Sequence, residues 1–302
     1  MASFWQGVLP AITTPFLDDG SVDHVFLAWH VGQMLRAGCT GIVPLGSLGE
    51  TATLSLDEKI AVLKTVIMAV DGRAAVVPGV AALATADAVR FAETAQALGC
   101  DGLMVLPPYV YSTDWREMKA HVGAVIAATS LPCMLYNNPV AYKTDFSATQ
   151  MQELATQYAN FVAVKESSAD VRRIAAIKAT LGDRLFILIG VDDLIVEGIA
   201  AGATGWVAGL VNAFPRESVV LFELARAGHF AQAAPLYHWF LPLLRMDVVP
   251  KFVQLIKLVQ SRVGMGAIHV RAPRLVLDGD ELAQANAEIN HALAHKPRFP
   301  AL

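Results

Sequence analysis

A chain of 302 residues that is 55% hydrophobic and only 17% charged has the apolar content for one large buried core and none of the low-hydrophobicity, high-charge character of a disordered polymer. Its net charge of −4 and isoelectric point near 6.1, with Lys and Arg scattered rather than clustered, exclude the basic footprint of a nucleic-acid-binding protein. A mean hydropathy of +0.46 raises the question of a membrane, but the most apolar stretch, 198–211, is short, broken by glycines and preceded by Asp192, Asp193 and Glu197, and it reads as barrel wall.

In chain order, the N-terminus has neither a basic region nor an apolar run ending in small residues, which makes the cytoplasm the expected location. Short apolar runs are expected as strands at 8–12, 41–44, 75–80, 102–106, 133–136, 161–165, 186–190 and 205–208. Helical spacing fills the intervals at 55–70, 85–98, 114–128, 147–158 and 169–181, often opened by Ser, Thr or Asp. Strands apolar at consecutive positions must be covered on both faces, so they belong to a parallel sheet wrapped by helices. Eight such units predict a (β/α)8 TIM barrel. An open doubly wound sheet is the alternative, but no G-x-G-x-x-G follows the first strand. Further helices are expected at 215–227, 230–244, 251–263 and 280–295, giving one domain over 1–302 with a barrel core to about 213 and a C-terminal helical extension over about 214–302.

Cys39, Cys100 and Cys133 lack CxxC or Cys/His ligand spacing and are expected as reduced core thiols. No histidine pairs with another ligand-type residue at a strand end, so no metal site is expected. Asp192 and Asp193 read as caps of the helix that begins at Leu194 rather than as cation ligands.

A barrel enzyme carries its chemistry at the carboxyl ends of its strands. Four places qualify: Gly46-Ser47-Leu48-Gly49-Glu50, Tyr136-Asn137-Asn138-Pro139, Lys165-Glu166-Ser167-Ser168 and Gly190. A lysine ending an apolar strand is a candidate nucleophile, because burial disfavours an ammonium and leaves an amine able to form an imine with a carbonyl. A lysine paired with Glu166 or a neighbouring acid at a strand end, or one whose head reaches solvent, is the plain alternative. Tyr136 can move protons or can merely bond backbone at the rim. In the Gly46–Glu50 loop, backbone N–H groups can approach a carboxylate while Ser47 relays a proton or bonds substrate, although two glycines and a serine also make an ordinary turn.

Taken together and in this order, the four motifs resemble the dihydrodipicolinate synthase / N-acetylneuraminate lyase family of class I aldolases over nearly the whole chain. The resemblance implies a 2-oxo acid whose carboxylate sits on the Gly46–Leu48 loop, whose carbonyl condenses with Lys165 and whose protons move through Tyr136, with Gly190 and Val207 lining the substrate. It implies no metal or organic cofactor, and a homotetramer or dimer in which Tyr109 or Tyr111 approaches a neighbour's site. Leu48 stands where family members often carry a second Thr or Ser, so the hydroxyl relay from Tyr136 toward the neighbouring subunit is expected to be broken or rerouted. Ala141 stands where the synthases of lysine biosynthesis carry an Arg, which argues against 4-hydroxy-tetrahydrodipicolinate synthase.

The run from Tyr136 to Lys143, with Gly190-Val191-Asp192-Asp193 and the segment 205–215, looks like the branch that includes 1-pyrroline-4-hydroxy-2-carboxylate deaminases of hydroxyproline degradation. The expected substrate is therefore a small 2-oxo acid or cyclic imino acid, and the activity that of a lyase or hydrolase. A 2-keto-3-deoxy sugar-acid aldolase or dehydratase is the alternative, and a non-catalytic ligand-binding barrel the remaining one. Asn138 and Lys143 are further candidates for substrate contact, Lys143 with a distal polar group.

Overall fold

The computed structural model describes residues 3–108 and 114–299. Its strands are β1 (Gly7–Pro10), β2 (Gly41–Ile42), β3 (Ala75–Val76), β4 (Gly79–Val80), β5 (Leu103–Val105), β6 (Cys133–Asn137), β7 (Phe161–Glu166), β8 (Phe186–Ile189) and β9 (Gly205–Ala208). The sheet runs β1-β9-β8-β7-β6-β5-β4, with β2 and β3 as a separate parallel pair. The gap between β1 and β2 is bridged by hydrogen bonds from Thr40 N to Val8 O (3.0 Å), Val43 N to Pro10 O (2.8 Å) and Ile12 N to Val43 O (3.0 Å). These bonds close the sheet into a (β/α)8 barrel.

The expected strand at 75–80 is two pieces. Pro78 has no N–H and interrupts the ladder. Pairing nevertheless continues through Val77 N to Ile42 O, Gly79 N to Pro44 O and Met104 N to Pro78 O, each 2.9 Å, so β3 and β4 act as one stave of eight.

Side chains at the helix starts satisfy N–H groups that the first turn leaves without partners. Ser55 and Ser147 form capping boxes with Glu58 and Gln150 on the helices Leu56–Val70 and Ala148–Gln157, and Asp114 caps Trp115–Ala127. Cys39, Cys100 and Cys133 are free and buried, and burial pushes all three thiols up.

The C-terminal helices Pro215–Arg226, Phe230–Leu244, Phe252–Arg262 and Gly279–Ala294 share one hydrophobic cluster with the barrel, from Trp5 to Ala292. A buried ionic seam ties them to the loop after β2. Lys257 Nζ donates to Glu50 Oε1 (2.6 Å), Thr14 O (2.8 Å) and His269 O (2.7 Å), while Arg271 N donates to Glu50 Oε2 (3.0 Å). Burial pulls the Lys257 ammonium below its ordinary range, and the Glu50 charge works against that. Among the described residues no helix is long and apolar enough to cross a membrane.

Candidate active site

Parallel pairing in register sets Tyr136 beside Lys165 and Asn137 beside Glu166. Alternation along the strand sends successive side chains to opposite faces. Lys165 is only 6% exposed, and its Nζ stands 4.1 Å from the centroid of the Tyr136 ring, a distance at which the ring face attracts a cation. Glu166 is engaged elsewhere: it accepts from Asn137 Nδ2 (3.0 Å) and Ser168 N (2.8 Å), and burial raises its carboxyl against those bonds. Among the described residues no salt bridge joins Lys165 to an acid, which removes the pairing with Glu166 as the reason for its burial. The Tyr136 oxygen accepts from Asn138 Nδ2 at 3.0 Å, so the phenol's own proton remains available for donation.

Gly190, just past β8, is where the lysine stem crosses to the next stave. A Cβ there would overlap Ser167 Oγ and lie 2.5 Å from Lys165 Cε and 2.7 Å from Lys165 Cγ. Only glycine leaves this passage open. We expect Gly190→Ala to fold yet form the imine and turn over about 10²-fold more slowly, the scale for a reacting group displaced by about 1 Å; single-turnover kinetics read it, and an unchanged rate would dismiss the glycine's role. Ser167 Oγ, on the other side of the passage, is buried with no hydrogen-bond partner among the described residues.

The expectation that Asp192 caps a helix is corrected. Its carboxylate accepts from Trp206 Nε1 (2.9 Å), Gly209 N (3.0 Å) and Leu210 N (2.7 Å), and so ties the end of β8 to the end of β9. Three tertiary donors outcompete the local cap, because a buried carboxylate needs its oxygens satisfied. Asp193 likewise makes no capping bond. Burial pushes the Asp192 carboxyl up to about 6, while its three hydrogen bonds and the Lys165 charge act in the opposite direction. Asp247, in the turn after the helix Phe230–Leu244, is raised well above the ordinary carboxylate range by burial and then by the Asp192 charge. Its oxygens crowd Gly209, where a Cβ would overlap them.

A carboxyl whose pKa is higher folded than unfolded holds its proton more tightly in the fold. Its stabilising contribution is full below the unfolded value of about 4 and is lost as pH rises through the folded one. The melting temperature of the wild type is therefore expected to fall relative to that of Asp192→Asn as pH goes from about 4 to about 6, and then to run parallel. A gap that moves the other way would show that the group is not raised.

The remaining candidates divide. Gly46 and Leu48 are buried in the loop after β2, and Leu48 belongs to the hydrophobic cluster. Val207 lies within β9, in register with Leu9, and is buried. Ser47 is half-buried, and its hydroxyl is hydrogen-bonded to the Tyr142 hydroxyl rather than to Tyr136. Asn138 caps the short helix Pro139–Tyr142, accepting from Ala141 N at 3.0 Å. Lys143 is exposed and donates to Val140 O at 3.1 Å; it is bonded to its own loop, because its left-handed backbone ends that helix and folds the chain back. Tyr109 and Tyr111 lie outside the described residues.

The sequence placed Ser167 in the Lys165–Ser168 motif without a role for it, and Tyr142 and Asp247 went unnoticed as neighbours of the site. Ser167 could have been given one from its place two residues after Lys165 on the same strand end; Asp247 has no local signal. Among the described residues no group of three or more His, Cys, Asp and Glu could hold a metal ion. One cavity, about 720 Å³ and lined by Pro242, Met246, Val249, Leu255, Leu277 and Lys251 among others, lies among the C-terminal helices. Its lysine, Lys251, is exposed and paired with Glu281.

An eight-stave parallel barrel that buries a lysine beside a tyrosine near the carboxyl end of a stave presents an amine where a carbonyl compound could meet it. The chain matches the Dihydrodipicolinate synthetase family over residues 4–292 and belongs to it. Members of this family are class I lyases that work through a lysine imine. The chain is 33% identical over 287 residues to a 4-hydroxy-tetrahydrodipicolinate synthase of Methanoculleus marisnigri, covering 94% of this chain and 96% of that one. It is 32% identical over 291 residues to one of Mesorhizobium japonicum, covering 95% and 98%. Among solved structures, YagE, a prophage protein of the same family from E. coli K12 in complex with pyruvate, superposes with a TM-score of 0.90 at 27% identity over 97% of this chain and 99% of that one.

Proposed function

We propose that this enzyme forms a Schiff base between Lys165 and a small 2-oxo acid or cyclic imino acid, and that its reaction is the deamination of 1-pyrroline-4-hydroxy-2-carboxylate. The observation that carries the reading is Lys165 itself, a buried side chain whose Nζ lies 4.1 Å from the centroid of the Tyr136 ring and which forms no salt bridge among the described residues. The amine attacks C2 of the cyclic imine, and the ring nitrogen leaves as a primary amine. The new imine acidifies C3–H, a proton departs, and the 4-hydroxyl leaves as water with a proton supplied through Tyr136. Proton shifts from C5 and the amine nitrogen to C4 and C3 turn the unsaturated amine into a terminal imine, and hydrolysis of that imine and of the imine to Lys165 releases ammonia and 2-oxoglutarate semialdehyde.

The deaminase reading is favoured over the activity named for the curated relatives because Ala141, which is exposed, offers no cation for a second substrate's carboxylate. YagE's complex with pyruvate supports a small 2-oxo acid as the common part of the substrate. Product analysis over a panel of pyrroline-4-hydroxy-2-carboxylate, pyruvate with aspartate semialdehyde, and 2-keto-3-deoxy sugar acids tests the reading. Ammonia from the cyclic imine is expected. Pyruvate and an aldehyde from a keto-deoxy acid, without ammonia from the imine, would replace the deaminase by an aldolase, and a heterocyclic condensation product would replace it by a synthase.

A further inference from the structure

The segment after β6 turns back on itself as the helix Pro139–Tyr142, opened by the Asn138 side chain. The turn sets the Tyr142 ring edge-on to the Tyr136 ring, with centroids 5.6 Å apart and planes at 90°. It also brings the Tyr142 hydroxyl onto Ser47 Oγ, across 95 residues of sequence. Tyr136 directs its oxygen to Asn138 instead. The Ser47 hydroxyl is thus held by a tyrosine of its own chain that packs against the ring facing Lys165. Tyr142 is half-buried, so it reaches both the serine and solvent.

We propose that Tyr142 is a positioning residue that fixes the Ser47 hydroxyl and passes protons between it and solvent. The proposal rests on the reading of Lys165 as the imine-forming amine. Both hydroxyls can donate and accept at once. Ser47 takes the proton removed from the carbon next to the imine and gives its own to Tyr142, which gives its phenolic proton to solvent. The reverse sequence returns a proton to that carbon. One proton moves in each direction and no electrons change hands.

The test uses the full chain, pyruvate and D2O. Exchange of the pyruvate methyl protons, followed by NMR, reports proton transfer at the carbon next to the imine. Borohydride trapping at Lys165 reports imine formation separately. Tyr142→Phe keeps the edge-to-face packing and removes only the oxygen. Trapping is expected at the wild-type level, with exchange slower by about 10²-fold, the low end for a general acid or base. Ser47→Ala is expected to lose as much, and the double variant no more than either alone, because groups acting in series are not additive. Wild-type exchange in Tyr142→Phe with intact trapping, or a double variant whose loss is the product of the two single losses, would overturn the relay. Absence of trapping in the wild-type protein would sink the imine reading, and with it the relay.

Discussion

Replacing Lys165 with alanine is expected to lower turnover of the true substrate by at least about 10⁴-fold, since removal of a covalent nucleophile leaves only binding and positioning. The methyl group cannot form the imine, and without it the neighbouring carbon is not acidified and Tyr136 has no developing charge to serve. The fold is expected to survive, because the stave is held by its backbone pairing: Lys165 lies in register with Tyr136 on one side and Leu188 on the other. Unfolding monitored alongside turnover separates the two effects. An alanine variant that still processes substrate would assign the nucleophile elsewhere.

The second large effect is on stability. Lys257 and Glu50 are 2% and 1% exposed and form the one salt bridge among the described residues in which both side chains are almost fully buried. Taking away one partner of such a pair leaves an uncompensated charge in a dry site and costs about 3–5 kcal/mol. Lys257→Met is expected near the low end, because Arg274 stays 3.7 Å from Glu50 and Arg271 N still donates to it. Adding Glu50→Gln should recover much of the loss. Arg116→Ala, which removes an exposed pair with Asp114, should cost no more than about 0.5 kcal/mol. Urea unfolding followed by tryptophan fluorescence measures all of these; equal losses at Lys257 and Arg116 would mean that the seam contributes nothing particular.

Most of the barrel was legible because buried parallel strands are apolar at every position, and their spacing survives in the sequence as a regular alternation with amphipathic segments. The stave at 75–80 was read as continuous although Pro78 sits inside it; the missing N–H that breaks the strand in two was a signal in plain view. Lys165 stood out for a related reason, as a charge ending a run that the barrel must bury. Tyr136 and Gly190 stood out with it, but Tyr142 and Asp247 did not. Tyr142 meets Ser47, and Asp247 meets Gly209 and the surroundings of Asp192, only because the barrel closes and the C-terminal helices fold over it, and no local pattern encodes either meeting. Asp192 was misread for a definite cause: two acids before an apolar helix satisfy the local capping rule, but three N–H donors delivered by β9 and the loop after it offer a carboxylate more than a helix end does. Leu48 was the reason to expect a broken or rerouted hydroxyl relay; the Ser47–Tyr142 hydrogen bond lies across 95 residues of sequence and no local pattern announces it.

A covalent imine between Lys165 and a 2-oxo acid is trapped by borohydride reduction in the presence of pyruvate and read by peptide mass analysis. The expected result is one reduced adduct per chain, on the peptide that carries Lys165, absent from Lys165→Ala and absent when pyruvate is omitted. No adduct would remove the imine, and an adduct on Lys143, Lys251 or Lys257 with Lys165 unmodified would assign it to another amine.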